Sequence, residues 1–131
     1  MRRKPLIFLG LVGVLILILG AAGPVRADCQ AKVETMAPEA ELVGFKCVQK
    51  DYNNQPSTWF EVTLKNKSDQ EQRFRVNIFL PDGKAVGGLL PRKIKKGLVK
   101  PGAEIKGVYP AQGVAEAPAE VGLVVKTMSK N

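Results

Sequence analysis

From residue 42 onward, short runs of alternating apolar and polar side chains are separated by residues that favour turns. Alternation with a period of two marks a strand with one face buried. The clearest run covers residues 59–65, where Phe60, Val62 and Leu64 share one face and Glu61, Thr63 and Lys65 the other. Residues 73–80 repeat the pattern with Phe74, Val76, Ile78 and Leu80 inward, and residues 121–127 do so with Val121, Leu123 and Val125. Residues 42–48 place Val43, Phe45 and Cys47 on one face. Weaker strands are expected over 84–90, which Gly87 and Gly88 thin, over 93–99 and over 103–109. Residues 66–69, 81–84 and 101–102 carry turn chemistry. Residues 51–58 and 111–120 read as loops, and 28–41 as a polar approach segment broken by Pro38. Six to seven short strands without an amphipathic helix predict an all-β, antiparallel sandwich or small barrel over residues 42–131.

The opposite pattern precedes this region. Arg2, Arg3 and Lys4 are followed by an uncharged, largely aliphatic run over residues 5–25, and Val25-Arg26-Ala27 places small residues at the first and third positions. That order predicts an export signal over residues 1–27, a helix that delivers the rest of the chain outside. The run is long enough for an uncleaved inner-membrane anchor to stay open as an alternative, with the domain on the same outer side. A periplasmic or extracellular location follows from either. Export also changes the charge: the chain carries 20 Lys/Arg and 12 Asp/Glu, and removing Arg2, Arg3, Lys4 and Arg26 leaves 16 against 12, a net +4. A nucleic-acid partner is not expected at that balance.

Both cysteines, Cys29 and Cys47, lie beyond the signal, and an even count in an exported chain predicts a disulfide between them. Lipid on Cys29 is the rival reading, but Asp28 stands where a lipoprotein signal needs a small residue. The chain has no His, and two Cys cannot complete a tetrahedral metal site, so neither metal nor cofactor is expected.

The middle of the chain carries an alternating strand, then Asn66-Lys67-Ser68-Asp69, a second alternating strand, Pro81-Asp82-Gly83-Lys84, and Lys100-Pro101-Gly102. Over about residues 43–109 this series resembles bacterial immunoglobulin-like domains of the FxLYD type. It departs from them at Phe79-Leu80-Pro81-Asp82, where the family has Tyr before the Asp. The resemblance implies an immunoglobulin-like β-sandwich in an envelope protein and no common catalytic site.

Candidate chemistry is sparse. Without His the usual general base is missing, and Ser57, Ser68 and Ser129 lie in loops or at the terminus, so an enzyme is not expected. Asn66-Lys67-Ser68 is formally a glycosylation sequon and reads as a turn. The densest feature is the basic run over residues 92–100, in which Arg92, Lys93, Lys95, Lys96 and Lys100 occur without an acid. It is a candidate surface for an acidic protein partner or an anionic envelope surface. Its competing reading is a solvated edge strand whose lysines block aggregation. Trp59 and Tyr109 form a candidate aromatic patch, Trp59 because its parity turns it away from the core face. These features suit an exported, non-catalytic module that binds or scaffolds another envelope component. The alternative is a periplasmic binding protein for a small acidic ligand or glycan, which would need a concave pocket.

Overall fold

The computed structural model describes residues 29–128; the expected export signal lies outside them. Seven strands, β1 (Gln30–Met36), β2 (Ala40–Tyr52), β3 (Gln55–Asn66), β4 (Phe74–Phe79), β5 (Ala85–Leu90), β6 (Glu104–Ala111) and β7 (Glu120–Thr127), form two sheets. The first has the order β1-β7-β4-β5 and the second β2-β3-β6. Among the described residues no helix is long and apolar enough to cross a membrane.

The sandwich-like core follows from the alternation in β3, β4 and β7. Phe60, Val62 and Leu64 of the second sheet and Phe74, Val76, Ile78, Leu123 and Val125 of the first are fully buried in one cluster. Phe45 of β2 stacks on Phe60 with ring centroids 6.1 Å apart. The Cys29–Cys47 disulfide is formed, with Cα atoms 6.1 Å apart. Cys29 directly precedes β1 and Cys47 lies on β2, so the bond ties an edge of one sheet to an edge of the other. Closing that loop stabilises the fold by roughly 3 kcal/mol.

Four expectations need correction. The approach segment contains β1, which pairs in parallel with β7. Its partner is distant in sequence, and backbone pairing holds it more than apolar side chains do, since most of its residues are exposed. The loop over 51–58 is a tight hairpin: Asn53 and Asn54 both take positive φ (52° and 63°), the two-residue turn whose twist matches paired strands. Val43 is not inward but 47% exposed. A bulge between Leu42 and Gly44 makes it the extra residue, switching the inward parity from Phe45 and Cys47 to Leu42 and Ala40. Finally, residues 93–99 form no strand. They hold a 3-10 turn, Ile94–Lys96, and Val99 makes an isolated bridge with Gln72.

One buried polar side chain organises this connection. Asn66 is fully buried at the end of β3. Its Nδ2 donates to the Gln70 carbonyl (2.7 Å) and the Val99 carbonyl (2.8 Å), and its Oδ1 accepts from the Ser68 amide (2.9 Å) and hydroxyl (2.7 Å). All four amide valences are filled. The Asn66 amide donates to the Ala103 carbonyl, and its carbonyl accepts from Gly102.

Truncating Phe74 to Ala is expected to cost about 2–5 kcal/mol. Asn66→Ala removes four hydrogen bonds from a buried site and should cost about 1–3 kcal/mol, with the Val99 carbonyl keeping the Gln72 N–H. Denaturant midpoints check both, and an unchanged midpoint in either variant contradicts the assigned role.

Candidate functional site

The two sheets converge at β5 and β6, and a cavity of about 410 Å³ opens between them. Ala85, Gly87, Val108, Pro110 and Tyr109 contribute to its walls, and Arg92 belongs to its lining. Tight packing shapes this side. A Cβ at Gly87 would overlap the Val76 carbonyl oxygen of β4. A Cβ at Gly107 would overlap the Tyr109 hydroxyl and come within 2.8 Å of Leu90 Cδ2. The Tyr109 ring therefore occupies space that a side chain at 107 would claim.

Tyr109 is 6% exposed, and among the described residues its hydroxyl has no hydrogen-bond partner. Burial raises its pKa from 10.0 to about 12, against the lowering effect of the Arg92 charge. Trp59 occupies the other face of the sheet: β3 and β6 pair Phe60 with Tyr109 and Trp59 with Pro110, so the two aromatics form no shared patch. The Trp59 ring is engaged by its own hairpin. Its Nε1 donates to the Lys50 carbonyl (3.1 Å), Tyr52 meets it edge-on at 5.2 Å, and Lys50 Nζ lies 4.7 Å from its ring centroid. Through Pro110 it adjoins the cavity wall.

The basic run begins at the cavity. Arg73 donates from Nε to the Pro91 carbonyl (3.1 Å) and from Nη2 to the Arg92 carbonyl (2.9 Å), and Gln72 and Val99 exchange backbone bonds at 2.9 Å. The connection is thus held at both ends, with Arg92, Lys93, Lys95 and Lys100 exposed along it. Among the described residues none of these four forms an ion pair. The contrast lies on the outer face of the second sheet, where Lys46 (3.6 Å) and Lys106 (3.7 Å) share the Glu61 carboxylate.

Ser57 donates to the Gln55 carbonyl and accepts from the Gly113 amide, and Ser68 belongs to the Asn66 turn. No three of His, Cys, Asp and Glu converge on a metal-sized site among the described residues. Sequence reasoning missed the cavity walls of β5 and β6. Pro110 inside a strand was an available signal, since proline within a sheet sits where its missing N–H faces away from a partner. Comparison with known proteins returns no family model, no curated relative and no solved structure that matches this chain.

Tyr109→Phe removes a buried hydroxyl that lacks a partner, so it should leave stability unchanged or raise it by about 1–3 kcal/mol. The alkaline limb provides a second check. The unfolded chain ionises this tyrosine near 10.0 and the folded chain near 12, so its contribution is intact below pH 10 and lost as pH rises through about 12. Chemical denaturation across that window should show a shallower loss in Tyr109→Phe than in the parent. An equal slope in both would mean the hydroxyl is solvated.

Proposed function

We propose that this chain is a non-catalytic, exported module of immunoglobulin-like architecture that binds an acidic component of the cell envelope through its β5–β6 side. One observation carries the reading. From Arg92 to Lys100 the chain has five cations, Arg92, Lys93, Lys95, Lys96 and Lys100, and no acid, whereas Lys84 pairs with Asp82 at 4.0 Å. Arg92 lines the cavity, so this charge borders a concave surface. Concavity beside uncompensated charge favours a binding role over a merely solubilising one.

The strand neighbours support the architecture. β3 lies beside β6 in one sheet, and β4 beside β7 in the other, as strands B and E and strands C and F do in immunoglobulin domains. β5 then stands where strand C′ would, and β1 takes the position of the last strand but runs parallel to its neighbour. The disulfide supports export, because such bonds persist in oxidising compartments.

Lys93→Glu, Lys95→Glu and Lys100→Glu together should abolish retention on immobilised polyglutamate and capture of acidic components from envelope extract. Parent binding should weaken steeply between about 50 and 300 mM salt. The melting midpoint should hardly move, since exposed substitutions usually stay within about 0.5 kcal/mol. Equal retention by parent and variant would reduce the run to a solubilising connection and leave the Trp59 face as the better candidate.

A further inference from the structure

Four strands end the two sheets: β1, β5, β2 and β6. An edge strand exposes unpaired backbone groups, and proteins ordinarily blunt it with charge, proline or a bulge. Three of these edges are blunted. β1 carries Lys32, Glu34 and an irregularity between Val33 and Thr35. β2 carries the bulge at Val43 with Lys46 and Lys50. β6 carries Lys106 and Pro110. β5 has the sequence Ala-Val-Gly-Gly-Leu-Leu and carries none of these devices.

Among the described residues, register identifies which β5 backbone groups have no strand partner. Leu80 donates its N–H to the Lys84 carbonyl (2.8 Å), and Ile78 stands opposite Val86 and Val76 opposite Gly88. Antiparallel pairs alternate between bonded and non-bonded. Val86 and Gly88 therefore face β4, and the N–H and C=O groups of Ala85, Gly87 and Leu89 face the open edge. On β6 the Asn66–Ala103 bond sets the same alternation and turns the backbone of Lys106, Val108 and Pro110 outward. Pro110, which has no N–H, falls on that unbonded side, as it must. The cavity thus lies between two strand edges, with the β5 donors uninterrupted and the β6 donors broken at Pro110.

We propose that the free edge of β5 is a strand-addition site for an acidic, extended segment of a partner protein. The inference rests on the cationic β5–β6 side being the binding surface. Main-chain bonds to Ala85, Gly87 and Leu89 supply the pairing, and side chains on alternate positions of the added strand supply selectivity. Arg92 and Lys93 follow the edge without an ion-pair partner among the described residues, so carboxylates on the partner segment meet cations at that end, while Lys84 at the other end is shared with Asp82 at 4.0 Å. The same cations oppose a second copy of this chain, because pairing β5 with β5 would bring like charges together.

The probe is a fluorescent ten-residue peptide alternating Glu with Val and Thr, titrated into the exported protein at low salt. A second peptide is N-methylated at its central residues, which keeps charge and side chains but removes interstrand donors. The parent peptide should bind, and methylation should weaken it at least about tenfold, the worth of two or three hydrogen bonds. Hydrogen exchange should show new protection at the amides of Ala85, Gly87 and Leu89. Ala85→Pro should weaken binding while leaving the melting midpoint in place, because that N–H lies outside the β4 ladder. Equal binding of both peptides, lost in high salt and in the charge-reversal variant, would overturn strand addition while the cationic surface stood. Binding to phosphatidylglycerol vesicles but to neither peptide would overturn it in favour of a lipid surface. A concentration-dependent dimer abolished by Ala85→Pro would overturn it in favour of a second copy. Failure to bind peptide, vesicle and polyglutamate alike would remove the cationic surface as well.

Discussion

The side-chain amide of Asn66 is the constraint on which the cationic side depends. A buried amide must fill its valences or destabilise the fold, and this one fills all four with groups from the turn after β3 and the connection between β5 and β6. It thereby couples two crossings between the sheets. With the Gln72–Val99 bridge and the Arg73 bonds to residues 91 and 92, it fixes where the basic connection runs. Cations on a fixed path have already lost part of the conformational freedom that binding would otherwise have to remove.

The same residue types behave differently elsewhere on the molecule. Lys46 and Lys106 flank Glu61 on the second sheet, and one carboxylate serves both. Such pairs contribute little stability, but the shared carboxylate halves the local positive charge. Along residues 92–100 no acid offsets the charge, so the field extends outward over a screening length of about 8 Å at physiological salt. The placement of acids, more than the number of lysines, distinguishes the two surfaces.

Legibility in the sequence followed the range of the interaction. β3, β4 and β7 are readable because each alternates fully buried positions with less buried ones, so alternation alone reports them. β1 is not, because its partner is the C-terminal strand and its burial is slight. The hairpin at Asn53-Asn54 was hidden among polar residues, although asparagine tolerates the positive φ that its turn requires. Val43 was misassigned because one bulged residue inverts parity for the rest of a strand. At the candidate site the cluster of cations was visible in the chain. The open edge was not, since the direction of each backbone group depends on a register fixed by the Leu80–Lys84 and Asn66–Ala103 bonds.

The bare edge of β5 follows in part from internal packing. Gly87 cannot carry a side chain, because the Val76 carbonyl of β4 occupies the place of its Cβ. At Gly88 a Cβ would make ordinary contact with the Tyr109 ring at 3.4 Å, so that position turns toward the core and not to the open edge. Gly87 is thereby withdrawn from the usual means of guarding an edge. Ala85 could have carried a lysine, as its exposure leaves room, yet it is apolar. Unpaired charge lies instead beyond the end of the strand, at Arg92 and Lys93, and Lys84 before it is held by Asp82 at 4.0 Å. Charge so placed discriminates where a proline or an in-strand lysine would not. It repels another copy of the same cationic edge and admits a strand of opposite charge.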